Sequence, residues 1–416
     1  GIAYTGGGWA ASSIILHNAH AAVVDNNDIS GTGVAGSIHI YTIGSDNVQI
    51  TNNTFDTNGY GVALYGGDNV TIDSNDFTNS SGAAIFVWGG PAGSQITNNS
   101  ITDNTYGVYV YNGAGSGNVV AANNISGNTT NLTNTSAYSV NASGNWWGYS
   151  DEADVAASIT GSGDVDFTPF LMSGSDSDGG AAGFQGDFSD LYVTALGGQS
   201  GATGRIQEAI DVVSGSTVNI GSGTFNESII LAADFATDNL TISGDAAGAT
   251  LVTGGVRTFN TADISDLTFE NIELSGKASG SNAIFRMDNP GTVTNLTLDN
   301  MVIDGESVYY SNGVYAKNLA GDVTVTDSEF KDILGWVVFD TDPTNGSGSS
   351  TQVLDNITFS GNYIHNVNGT VALRGNAVDT TNVVTVSGNH WTTIGGNGGH
   401  NGWQWAAVEV NHAEQL

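Results

Sequence analysis

Apolar and polar residues alternate along this chain in short bursts separated by polar turns. The stretches VQITNNTFDTNGYGVALYGGDN from Val48, VTIDSNDFTNSSGAAIFVWGG from Val70 and SQITNNSITDNTYGVYVYNG from Ser94 share one plan. Each has an apolar alternation, an Asn-x-apolar step, a polar turn, then Gly and a second alternating strand. The Asn recurs at Asn27, Asn53, Asn75, Asn99, Asn123 and Asn145, in steps of 26, 22, 24, 24 and 22 residues. The second strand keeps the same beat at Ile38, Val62, Ile85 and Val108, in steps of 24, 23 and 23. Two or three strands per period, with no helix-length apolar pattern, exclude a helical solenoid. A coil of parallel strands fits, each turn pairing its backbone with the turns above and below at about 4.8 Å. Ile38 and Ile40, Val62 and Leu64, Ile85 and Val87, and Val108 and Val110 then point inward and stack like on like. The recurring Asn is read as a structural ladder, with side chains hydrogen-bonding along the coil. The simpler alternative is that it only forms turns.

The first array is predicted to occupy residues 1–171, closing with GNWWGYSDEADVAASITGSGDVDFTPFL from Gly144. In this cap, at about 145–171, Ser150 is placed to N-cap a short helix with Asp151 and Glu152 in its first turn. Val155 and Ile159 share one face of that helix. Trp146, Trp147, Phe167 and Phe170 are placed to cover the end of the coil, where strand edges would otherwise be unpaired. An acidic Gly/Ser linker follows at 172–190. A second array is predicted over 191–416, opening with a capping helix at about 203–213 on which Ile206, Ala209, Ile210 and Val213 form one face. Its strands are predicted around Thr217–Ile220, Ser228–Leu231, Leu240–Ile242, Leu267–Phe269, Leu296–Leu298, Val323–Thr326, Ile357–Ser360 and Val383–Val386. The Asn-x-apolar signal returns at Asn362 and Asn389.

The first array resembles the parallel β-helix repeats of the pectate-lyase-like superfamily, above all its periplasmic copper-processing and cell-surface members. The segment RIQEAIDVV…GSGTFNESIIL…NLTISG is similar to the opening turns of pectin methylesterases. The fold class is therefore all-β: two right-handed parallel β-helices in tandem, with short capping helices. The resemblance implies the fold and leaves the activity open, because this fold hosts lyases, hydrolases, esterases, epimerases, adhesins and tailspikes. Family catalysis does not transfer residue by residue. Pectate lyases use Arg or Lys bases beside calcium-binding carboxylates, and the first array has neither cation. The two Asp and the Arg of the esterases have no matching segment. The string TYGVYVY at Thr105 lacks the Asp, Pro and His of the epimerase motif.

Composition narrows the partners. The 416 residues include 59 glycines, 12 % charged residues and 39 % hydrophobic residues, so the glycines read as repeated turns around a real core. The net charge is −34, and no Lys or Arg precedes Arg205. Such a surface repels nucleic acid and anionic lipid, which require cations to neutralise phosphate. It attracts divalent cations or confers salt tolerance; composition does not separate the two. Cysteine is absent, so disulfides are excluded and the redox compartment is not fixed. No apolar run of membrane-spanning length occurs, and no membrane insertion is expected. The start at Gly1 reads as a mature product or a segment of a longer chain.

Four outward aromatics, Tyr41, Tyr65, Trp88 and Tyr111, fall one per turn, with His39, Phe86 and Tyr109 two residues before Tyr41, Trp88 and Tyr111 and also outward. They suit contact with a partner chain or a glycan, or simply stabilise neighbouring strands. In the second array a column of Arg286, Lys317, Asp340 and Arg374, with Asp342, Lys331 and His365 near it, is the best place for acid/base chemistry on a polysaccharide. An ion-pair ladder is the alternative. The histidines His17, His20, His39, His365, His390, His400 and His412 show no zinc spacing. Calcium is preferred over zinc or copper, on Asp176, Asp178, Asp187 and Asp190, against a plain solvated loop. Sequons occur at Asn52, Asn69, Asn131 and Asn356, among others. Trp9-Ala10-Ala11 matches Trp405-Ala406-Ala407, which suggests head-to-tail stacking of copies or one period of a tandem fibre. The sequence is thus read as a non-catalytic extracellular structural or adhesive protein, assembling as a filament, sheath or surface layer. A polysaccharide-active enzyme or glycan-binding module of the same fold is the alternative.

Overall fold

The computed structural model describes residues 12–31, 38–41, 45–235, 237–246, 248–277, 280–287, 290–308, 312–335, 337–341, 353–374, 381–395, 407–411 and 413–415. The chain divides into two compact units, Gly1–Ala202 and Thr203–Leu416. Within the described residues the structure is all-β, with short helices at Glu152–Ala157 and Arg205–Val212. Neither is long and apolar enough to cross a membrane.

In the first unit, strands adjacent in a sheet are one coil turn apart in sequence. One sheet runs Ile14–Leu16, Ile38–Tyr41, Val62–Tyr65, Ala83–Val87, Tyr106–Val110, Thr130–Asn134 and Ile159–Gly161, all parallel. The register sets Val62 beside Ile85, Ile85 beside Val108 and Val108 beside Leu132. All four are fully buried, so each rung adds one aliphatic layer to a continuous core. A second sheet stacks Ile50, Ile72, Ile96 and Val120 in the same way. A third, shorter sheet brings Phe55 and Phe77 face to face, with centroids 4.5 Å apart. Strands stay two to five residues long because the turns between them use left-handed backbone, as at Asn52 (φ 54°) and Asn98 (φ 55°). At Gly107 a Cβ would lie 2.5 Å from the Asn131 carbonyl oxygen, so the approach of adjacent rungs requires glycine there.

The cap departs from the sequence reading at its start. Asp151, not Ser150, is the N-cap: its carboxylate accepts from the Ala153 and Asp154 amides at 2.9 and 3.3 Å. The helix spans Glu152–Ala157, so Ile159 lies beyond it in strand Ile159–Gly161 and does not share a helical face with Val155. Trp147, Phe167 and Phe170 are buried, while Trp146 is half-buried. The segment 172–190, read from sequence as a linker, packs on the first unit instead. Phe184 is buried, and its amide donates to the Asn98 carbonyl at 2.8 Å. An aromatic residue within a Gly/Asp/Ser run thus anchors that run to the coil.

The second unit opens with the helix Arg205–Val212, which buries Ile206, Ala209 and Ile210. Its N-cap, Gly204, has no side chain to offer. Glu227 supplies the cap from the following strand region, accepting from the Ile206 and Gln207 amides at 3.1 Å each. One parallel sheet then stacks Val218, Ile242, Phe269, Leu298, Val325, Phe359 and Val386 in register. Several strands begin well before the expected apolar cores, for example Leu319–Thr326 and Val353–Ser360. Each opens on an apolar residue, Leu319 or Val353-Leu354, and then runs through small or polar residues (Ala320-Gly321-Asp322, Asp355-Asn356) that interrupt the apolar alternation before its inner half.

Candidate functional site

The six Asn side chains lie on one line along the first unit. Asn27, Asn53, Asn75, Asn99 and Asn123 each donate through Nδ2 to the Oδ1 of the next, at 2.9 to 3.0 Å, ending on Asn145. The same Oδ1 also accepts the preceding Asn backbone amide. Asn53, Asn75, Asn99, Asn123 and Asn145 are buried. Each also donates to a strand carbonyl of an adjacent rung, as Asn99 does to Ile72 at 2.9 Å. The amides are therefore satisfied on both sides and lock rung to rung. A partner ladder escaped the sequence reading: Ser80 N–H donates to Asn104 Oδ1, and Asn104 Nδ2 donates to Asn128 Oδ1 at 3.0 Å. Ser80 breaks the Asn beat, which hid it.

On the outside of the first sheet, aromatic rings form a contiguous face. Trp88 lies 5.0 Å from Tyr65 and 6.4 Å from Tyr111, centroid to centroid. Phe86 packs against Tyr60, Tyr65, Tyr109 and Tyr111 at 5.3 to 6.2 Å. Trp88 and Tyr111 are each 39 % exposed, whereas Tyr65 is only 6 % exposed. Tyr65 is thus corrected from an open contact residue to a covered one, because Trp88 stands edge-on to it at 89°. Tyr41 pairs with Tyr65 through the backbone; its side chain and that of His39 lie outside the described residues. On the second sheet, carboxylates tie successive rungs. Asp25 accepts from Thr51 and Asn52 at 2.8 Å, and Asp73 accepts from Thr97 and Asn98. The hydrogen bond from Asn52, then that from Thr51, holds the Asp25 carboxyl below its usual range.

In the second unit the charged column differs from the sequence reading. The register aligns Arg257, Arg286, Tyr315, Asp340 and Ala372, not Lys317 or Arg374. Arg286 lies over the Tyr315 ring at 5.0 Å. Asp340 is 3 % exposed and so is withdrawn from any substrate. A register shift at Val337/Phe339 precedes the Asp340–Ala372 pair, whereas Arg286 pairs with Tyr315, two residues before Lys317, in a ladder without a shift. Asp342, His400 and His412 lie outside the described residues, as do Trp9-Ala10-Ala11 and Trp405-Ala406.

Lys331 and His365 sit on a different sheet, paired with each other. Lys331 Nζ donates to Glu273 at 3.1 Å and lies 3.4 Å from Asp304. His365 Nε2 meets Glu329 Oε1 at 2.7 Å, and its ring stacks on Tyr363 at 4.4 Å. Partial burial works against the Lys331 ammonium. The Glu273 hydrogen bond and the charges of Glu273, Asp304 and Glu329 outweigh it and raise the pKa above the ordinary lysine value. Lys331 therefore serves as a fixed cation and not as a base near neutral pH. An open recess of about 420 Å³ beside the capping helix is lined by Asp211, Ile230, Asp234 and Phe235 among others.

The proposed calcium carboxylates are engaged with backbone. Asp176 Oδ1 accepts from the Asp178 and Gln185 amides, Asp178 from Gly180, and Asp187 from Ser189. Asp190 opens the strand Asp190–Val193. Among the described residues, no group of three or more His, Asp or Glu side chains is arranged to hold a metal ion.

Residues 3–92 and 38–147 match the family model of the right handed beta helix region. No match was found among curated proteins. Among solved structures, a mutant of a PL6 family alginate lyase is similar at 13 % identity and a TM-score of 0.33, covering 97 % of this chain and 68 % of that one. The unmutated PL6 family alginate lyase gives 13 % identity and a TM-score of 0.23, covering 96 % and 74 %. Repeat, ladder and strand register agree that the described strands coil as a parallel β-helix, and residues 3–147 match the model of that family.

Proposed function

We propose that the protein is a non-catalytic structural or adhesive solenoid of the cell exterior that meets its partner through the ring face of the first unit. One observation carries this reading: Trp88 and Tyr111, 39 % exposed each, stand on successive rungs over a bed of further rings. A contiguous exposed aromatic patch is a contact surface in need of an occupant. The buried Asn ladder fixes the rungs beneath it, so the rings are presented in one arrangement and little ordering is needed on binding. A copy of the chain or a glycan suits such a face. Placement outside the cell rests on the acidic, cation-poor surface, which resists nucleic acid and anionic lipid. The test is the double variant Trp88→Ser, Tyr111→Ser, followed by electron microscopy of assemblies and by adhesion to glycan-coated surfaces. The expected outcome is an unchanged fold with assembly or adhesion reduced about tenfold or more. Wild-type behaviour in both assays would remove this face from the account.

A second reading, polysaccharide turnover, has one observation in its favour. Glu329, His365, Tyr363 and Lys331 share one outward patch of the second unit, with a carboxylate–imidazole contact of 2.7 Å. Its test is loss of turnover in His365→Ala and Glu329→Gln.

A further inference from the structure

We infer that the ring face takes a neutral polysaccharide, laid along the coil axis so that successive sugar units meet Trp88 and Tyr111. The inference rests on the adhesive reading above and names its ligand class. Three features of the face select that class. First, the rings progress along the coil, with Tyr65, Trp88 and Tyr111 on consecutive rungs at 5.0 and 6.4 Å. With Tyr65 covered beneath Trp88, a polymer running along the axis meets the exposed Trp88 and Tyr111 on two successive rungs, with the aliphatic face of its sugars against the aromatic surface and its hydroxyls beside the Tyr111 phenol. Second, the three strands beneath the face, Val62–Tyr65, Ala83–Val87 and Tyr106–Val110, the last two ending one residue before Trp88 and Tyr111, contain no Asp, Glu, Lys, Arg or His. Nothing on them neutralises a charged sugar.

Third, the surroundings discriminate among occupants. No Lys or Arg lies before Arg205, and the whole chain carries a net charge of −34. A polyuronide approaching this face meets only like charge, and so does a second copy of the chain. A neutral glycan escapes that repulsion. Its binding therefore keeps its strength at low salt, where the screening length grows to roughly 30 Å and charged partners are pushed away most.

The experiment is affinity electrophoresis of the full chain through gels containing a neutral β-glucan, alginate or chitosan, at low and high salt. Wild type should be retarded by the glucan at both salt levels and not by alginate. Trp88→Ser, Tyr111→Ser should weaken glucan binding about tenfold or more. Trp88→Phe, which keeps a ring, should retain most of it, and Tyr149→Ser, an exposed ring outside the face, should match wild type. Equal retardation by alginate, or chitosan binding that exceeds glucan binding and vanishes in salt, would overturn the inference. So would the absence of glycan binding alongside lost assembly in the double variant; that result leaves the adhesive reading standing. If neither glycan binding nor assembly changes in the double variant, both fail together.

Discussion

At the scale of single residues, the coil is held by side chains that complete hydrogen bonds between rungs. Asn99 donates to Ile72, Thr97 and Asn123 and accepts from Asn75, all within the interior. Asn99→Ala strands several buried groups at once and should cost on the order of 3 kcal/mol. Asn27 is exposed, and water replaces its partners, so Asn27→Ala should cost about 1 kcal/mol or less. Denaturant unfolding of the two variants checks the contrast. Asp76 behaves oppositely. Burial, with the Asp176 charge, raises its pKa above 3.8 despite a hydrogen bond from the Gly183 amide. The folded state therefore binds that proton more tightly than the unfolded state does. The associated stability is present below pH 3.8 and is lost as pH rises through the folded pKa. Asp76→Asn should thus raise the melting temperature at pH 7, and the gain should vanish by about pH 3.5. The Asn ladder was legible in sequence because its beat never breaks. The burial of Tyr65 was not, since strand parity tells which face a ring takes but not whether the next rung's ring covers it.

At the scale of elements, rungs are specified by inward apolar positions and left-handed turns, and both are written in the sequence. Strand starts are less so. Leu319–Thr326 opens with Leu-Ala-Gly-Asp, where turn-forming residues pair in the sheet because a neighbouring rung is already in place. The charged column is less legible too: Arg286 pairs with Tyr315, two residues short of Lys317, and the register shifts at Val337/Phe339 before Asp340 meets Ala372, local backbone geometry that residue counting does not see. The capping helix Arg205–Val212 is legible from its apolar face, but its cap comes from Glu227, 20 and 21 positions from the residues it serves. Glu227→Ala should destabilise the second unit by about 1 kcal/mol, with Glu227→Gln costing less because an acceptor remains. Thermal unfolding of the two variants tests this. Lys331 links rungs by charge instead. Its contribution should persist through neutral pH and disappear only as pH rises above 10.5, so Lys331→Met should converge with wild type in strong alkali.

At the scale of the whole molecule, the acidity and the ring face make separate demands. A net charge of −34 opposes compaction, and salt should relieve it. Melting temperature should therefore rise between roughly 0.01 and 1 M NaCl, as the screening length falls from about 30 to 3 Å. Uncharged contact through Trp88 and Tyr111 should not follow that trend. The most direct test of the account is a paired assay of the intact protein on neutral and acidic polysaccharides, scoring retention and product release together. Retention through the ring face without any new reducing ends or unsaturated sugars is the predicted result. Release of product that stops in His365→Ala and Glu329→Gln would contradict it and place the function on the second unit's charged patch.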